Sequence, residues 1–110
     1  MEVEREIIFS KNIECYLDEL MLLLFEEGYF GFSDSAKLYV DHLISYIGDH
    51  IGIHPSKIAP DYFQRFGQNM KYITYRANKN TSWYIFYQER NNIYLIRHIT
   101  NNHVAAQYFR

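Results

Sequence analysis

The sequence predicts an α+β domain: an N-terminal strand and an antiparallel helical hairpin packed on one face of an antiparallel sheet, in the order β-α-α-β-β-β. Three observations carry this. Two stretches within 10–50 repeat apolar residues at i, i+3, i+4 spacing. Three later stretches, 69–76, 82–88 and 93–100, are rich in Tyr, Ile, Phe, Trp and Thr, the residues that suit a pleated surface. The breaks between those three are of hairpin length. Helices gathered early and strands late describe an α+β layout.

Residues 3–9 read as a short strand. Ser10 and Asn12 follow, with side-chain oxygens suited to capping a helix. Apolar side chains then recur at Ile13, Tyr16, Leu17, Leu20, Met21, Leu24 and Phe25, one continuous stripe. Leu22 and Leu23 widen it, so this helix is expected to be covered on more than one side. Gly28 ends it and 29–32 form an aromatic connector. Ser33 and Asp34 cap a second helix with Ala36, Tyr39, Val40, Leu43, Ile44 and Ile47 on one face, closed by Gly48, Gly52 and Pro55. So short a link makes the two helices antiparallel neighbours. Residues 57–68 read as an irregular crossover pinned by Tyr62 and Phe63. The strand breaks fall at 77–80 and 89–92.

Length sets one domain, 1–110, large enough to bury roughly 65% of its unfolded surface. With 48% hydrophobic and 22% charged residues the chain has the composition of a folded protein. Its 11 tyrosines suit wide, half-exposed faces, because a Tyr ring can be buried while its hydroxyl stays wet. Cys15 is the lone cysteine, so no intrachain disulfide forms, which suits a reducing compartment. The opening residues 1–6 carry no secretory pattern. The longest apolar run, 20–25, is far short of the ~20 residues a bilayer requires. A cytoplasmic protein without membrane attachment is expected.

Charge divides along the chain. Eleven acids against three bases leave 1–54 at −8; eight bases against two acids leave 55–110 at +6. Such a chain can show a basic surface to an anionic partner, although two solvated faces of opposite sign account for the same numbers. Strict alternation puts Trp83, Ile85 and Tyr87 on one face of the middle strand, and Tyr84, Phe86 and Gln88 on the other. In the last strand Ile93, Leu95, Arg97 and Ile99 share a face opposite Tyr94, Ile96, His98 and Thr100. Two helices cover one sheet face only, so an open face rich in rings and cations is expected.

Trp83-Tyr84-Ile85-Phe86-Tyr87, the aliphatic run at 93–99 after it, and the order of elements resemble the RelE/ParE family of toxins from bacterial type II toxin–antitoxin (plasmid stabilisation) systems. The resemblance spans nearly the whole domain. It implies a compact toxin wrapped and neutralised by a cognate antitoxin. Tyr84 stands where many ribonuclease members carry a catalytic Arg, and the cluster after the last strand is Asn101-Asn102-His103 instead of an Arg-rich one. The ParE-like branch, which acts on DNA gyrase and needs no nuclease site, is therefore the leading expectation. A RelE-like mRNA interferase acting on ribosome-bound or free messenger RNA is the alternative, and a non-toxic binding module on the same scaffold is the third.

A metal-independent ribonuclease must activate a 2′-hydroxyl, stabilise charge on phosphorus-bound oxygens and protonate a leaving oxygen. Arg76, His98 and His103 are the candidate catalytic residues. Lys71, Tyr84, Tyr87, Tyr94, Arg97 and Asn102 are the candidate substrate- or target-binding residues: Arg for phosphate, Tyr for stacking on bases. For His98 a bonded histidine at the core edge is an equal alternative. Alternation sets Arg97 and His98 on opposite faces unless a bulge re-aims one. His50 and His54 have a helical metal-ligand spacing, but Gly52 and Pro55 interrupt the helix between or beside them. No Gly-rich phosphate loop is present, and neither cofactor nor metal is expected.

Overall fold

The computed structural model describes residues 4–26, 33–53 and 55–109. The stop at Gly28, the connector at 29–32, the side-chain caps of Ser33 and Asp34, and His54 lie outside the described residues and side chains. The elements run β1 (Glu6–Phe9), α1 (Lys11–Glu26), α2 (Ser33–His50), β2 (Lys57–Ile58), a 3-10 helix (Asp61–Phe66), β3 (Lys71–Asn78), β4 (Thr81–Arg90), β5 (Ile93–Asn101), a one-turn α3 (Asn102–Ala105) and a final 3-10 turn (Ala106–Phe109).

Ser10 caps α1 as expected: its Oγ accepts from the Ile13 N–H at 3.3 Å and its carbonyl from the Glu14 N–H at 3.0 Å. The predicted stripes become the core. Ile13, Leu17 and Leu20 of α1 and Ala36, Val40, Leu43 and Ile47 of α2 are buried, and they meet Ile73, Trp83, Ile85, Tyr87, Tyr94, Ile96 and Ile99 of the sheet. Each buried Leu or Ile contributes about 1.5–3 kcal/mol, so this layer dominates stability. Trp83 reaches its own partner inside it, donating Nε1–H to the Tyr39 hydroxyl at 2.9 Å. Leu22 and Leu23 depart from expectation: at 55% and 51% exposure they are uncovered.

The sheet has five strands in the order β1-β5-β4-β3-β2. The predicted antiparallel sheet is corrected to a mixed one, because β1 lies parallel to β5, with Ile7 opposite Tyr94 and Phe9 opposite Ile96. A parallel neighbour requires a long crossover, and here the helical hairpin and three strands supply it. The fifth strand, β2, comes from the stretch read as irregular. Arg5 ties β1 to the end of α2, its guanidinium donating to the Ile51 carbonyl and, at 3.1 Å, to that of Gly48. Those carbonyls at a helix end have no intrahelical partner, so the contact fills a standing need.

The β4–β5 turn is two residues, Asn91 and Asn92, both at positive φ (53° and 64°). That is the backbone a tight hairpin demands, and Asn tolerates it. Within the β4–β5 ladder the register slips: Tyr87 faces Ile96, but Phe86 faces His98, leaving Arg97 as an extra residue. This bulge overturns the strict alternation expected for the last strand. Tyr94 and Ile96 pack toward the helices, and so does Ile99, three residues on.

The expected open sheet face is also corrected. Phe86, Phe63, Met70, Ala59 and Ala105 form a second buried cluster there, flanked by Tyr62, Phe66, Tyr72, Tyr84, Tyr108 and Phe109. The 3-10 helix and the C-terminal tail roof it. Phe86 is too apolar to be left wet, and the tail carries the Ala and aromatic side chains that cover it. Asn101 starts that tail by capping α3, its Oδ1 accepting from the N–H groups of His103 (2.9 Å) and Val104 (3.2 Å).

Candidate functional site

The residues singled out in the sequence fall into three places. The first is the β3–β4 hairpin. Arg76 donates from Nε to the Asn78 carbonyl (3.3 Å) and from Nη2 to that of Lys79 (3.2 Å). Asn102 accepts from the Ser82 N–H at 2.8 Å and donates to the Asn80 carbonyl at 3.1 Å. His103 meets the Thr81 hydroxyl through Nε2 at 3.1 Å. The tail thus folds back onto the hairpin, and Arg76, Asn102 and His103 converge on residues 78–82. Arg76 and Asn102 there hold backbone atoms.

The second place is the bulge. Extra chain at Arg97 lets it and His98 reach the same neighbour. Arg97 donates Nε–H to the Phe66 carbonyl at 3.1 Å, while the His98 ring stacks on the Phe66 ring at 3.9 Å and 7°. Phe63 and Phe86 lie close by, with centroids 6.2 and 5.8 Å away. Burial pushes the His98 pKa below its ordinary 6.5, since an imidazolium among phenyl rings loses hydration. Arg76 and His103 have the hairpin as their neighbour and His98 has Phe66, so the three candidate catalytic residues do not share one set of contacts.

The third place is the body of the sheet, on both of its faces. Tyr87 and Tyr94 are 2% and 3% exposed on the helix side, so neither offers a ring to an outside base. Burial raises the pKa of both. Tyr87 bonds with Ser56, and Tyr94 donates to Glu89 Oε2 at 3.2 Å. Lys71 pairs with the same Glu89 at 3.9 Å. Tyr84 lies half-buried on the opposite face, its ring 4.3 Å from Phe109 and 6.1 Å from Tyr72.

The structure adds residues the sequence reading missed. Tyr62 stacks on Tyr108 at 3.6 Å and 9°, their hydroxyls hydrogen-bond, and the Arg65 guanidinium carbon lies 3.9 Å from the centre of the Tyr62 ring. These rings, with Phe66, Tyr16, His98 and Thr100, border a groove of about 300 Å3. The signal was present in part: Tyr108 and Phe109 repeat the spacing of Val104 and Ala105 four residues on, a helical stretch too short to form by itself.

Among the described residues no group of three His, Cys, Asp or Glu could hold a metal ion. His50 stacks on Tyr46 at 3.9 Å and its Nδ1 lies 2.9 Å from the Tyr46 carbonyl. No described helix is long and apolar enough to cross a membrane. No protein-family model, no curated protein and no solved structure matches the chain.

Proposed function

We propose that this chain is a growth-inhibiting toxin of the RelE/ParE kind that acts by binding a protein such as DNA gyrase and is held inactive by a cognate antitoxin. The resemblance in β4 and β5 supplies the family, and an α+β fold with a helical pair on a mixed five-stranded sheet is compatible with it. The choice of binding over cleavage rests on one observation. Tyr84, at the position of the nuclease arginine, lies against Phe109, while Arg76 is committed to hairpin carbonyls. A phosphoryl-transfer site needs its donors aimed at developing charge, and these are aimed at the chain itself. Because the second sheet face is roofed, target and antitoxin must use the outer surfaces, among them the exposed Leu22, Leu23 and Leu38 of the helical pair.

A second reading, the mRNA interferase, keeps one observation in its favour. The bulge brings a guanidinium and an imidazole to the same ring, Phe66, and an imidazole with a lowered pKa is unprotonated near neutrality and able to act as a base.

Inducible expression separates them. The binding reading expects arrested growth with intact transcripts, relief by a co-expressed neighbouring antitoxin, and inhibited supercoiling by gyrase. Cleaved transcripts that become intact in His98→Ala and Arg97→Ala would move the assignment to the interferase. Unimpaired growth would remove both and leave the non-toxic binding module.

A further inference from the structure

The groove between α1, the 3-10 helix, the end of β5 and the tail has the make-up of a ligand site. Its volume, about 300 Å3, sits at the small end of the range for pockets that hold organic molecules. Rings of Tyr16, Tyr62, Phe66 and Tyr108 form the walls, and Val104, 67% exposed, forms the lip. Three of its lining residues, Tyr16, His98 and Thr100, carry polar groups with no hydrogen-bond partner among the described residues. Thr100 is only 6% exposed, yet no described side-chain oxygen or nitrogen is both fully enclosed and unpaired. Its hydroxyl therefore keeps an opening, and the groove lies beside it.

We propose that this groove binds a small uncharged aromatic molecule of one or two fused rings, gripped by the Tyr and Phe walls and hydrogen-bonded at its polar edge by Thr100 and His98. Among the described residues no Lys, Arg, Asp or Glu lines the groove, so a charged ligand would shed its hydration without a counter-charge from them. Arg65 lies on the Tyr62 ring and Arg97 is engaged with the Phe66 carbonyl, so neither supplies one. Flat walls favour a flat ligand, because stacked rings gain beyond the area they bury. His98 is uncharged near neutral pH, and a neutral imidazole offers one donor and one acceptor to match either edge of the ligand. The walls come from three parts of the chain, so an occupant would pin the tail and the 3-10 helix to α1.

Titration of the full chain with indole, followed by NMR of backbone amides and of the His98 ring, tests this. Saturable shifts at Thr100, Val104, Ala105 and His98 are expected, with a Kd on the order of 1 mM for so small a ring. Thr100→Val should raise that Kd about 3–10-fold by removing the hydroxyl while keeping the shape. Val104→Trp, at an exposed position that folding tolerates, should fill the groove and abolish binding. The proposal is overturned by no saturable shift up to ~20 mM, by shifts centred on Leu22 and Leu23 instead, or by unchanged binding in Val104→Trp. It does not rest on the toxin reading: unimpaired growth would leave this titration untouched.

Discussion

His98 lies flat on Phe66, 3.9 Å between ring centres and 7° between planes, and Phe66 in turn accepts the Arg97 guanidinium at its carbonyl. A one-residue bulge in β5 makes both contacts possible. Two side chains that strict alternation would separate thereby hold one end of the 3-10 helix against the sheet.

That burial gives stability a pH dependence. The folded-state pKa of His98 lies below its unfolded 6.5, so the unfolded chain takes up the proton first. The contribution is complete above pH 6.5 and is lost as pH falls from there through the lower folded value. Melting temperatures from pH 7.5 to 5 should fall for the wild type more steeply than for His98→Gln. Parallel curves would mean that the imidazole is not sequestered.

Asn102 ties tail to hairpin through two bonds, to Ser82 N–H and Asn80 carbonyl. Asn102→Ala should cost about 1–3 kcal/mol in urea unfolding, because the partly buried Ser82 N–H is left without its acceptor. Amide exchange should quicken at 80–82 and along the tail. A change confined to the tail would count against the tie.

Gly52 has φ +77°, and a Cβ there would run into the Tyr94 ring. Gly52→Ala should destabilise by about 1–3 kcal/mol, from the left-handed backbone and the collision together. Combining it with Tyr94→Leu should cost less than the sum of the two single losses, since the sites share one contact. Simple additivity in thermal melts would refute the collision.

Phe109 roofs Tyr84, Tyr72 and Phe86 with ring centres 4.3, 5.2 and 6.2 Å away. Phe109→Ala should cost about 2 kcal/mol, less than a fully buried Phe because this ring is only half-covered. Broadening of the Tyr84 ring signals in NMR by a soluble paramagnetic probe should increase. A neutral substitution would show that the tail is not docked.

Lys71 and Glu89 make a well-exposed pair at 3.9 Å. Lys71→Ala should alter stability by less than ~0.5 kcal/mol, as exposed pairs of this kind do. A loss above ~1 kcal/mol in urea would require a role for Lys71 beyond that contact.

Local pattern alone determined the helices, their buried stripes, the Ser10 cap, the three late strands and the positions of the hairpin turns. Each of these is written in side-chain periodicity or in the backbone preference of one or two residues, so it can be read without knowing what lies across the fold. Tertiary structure decided the rest. The parallel pairing of β1 with β5 joins residues more than eighty positions apart. The bulge at Arg97 has no compositional mark, because an extra residue is defined only by the partner strand. The tail is one α turn followed by one 3-10 turn, too short to stand alone in water, and it exists because Phe63, Phe86 and Tyr84 need covering. Candidate residues were therefore legible by type but not by company. Which of them would meet, at the hairpin, on Phe66 or in the core, depended on contacts no local stretch encodes.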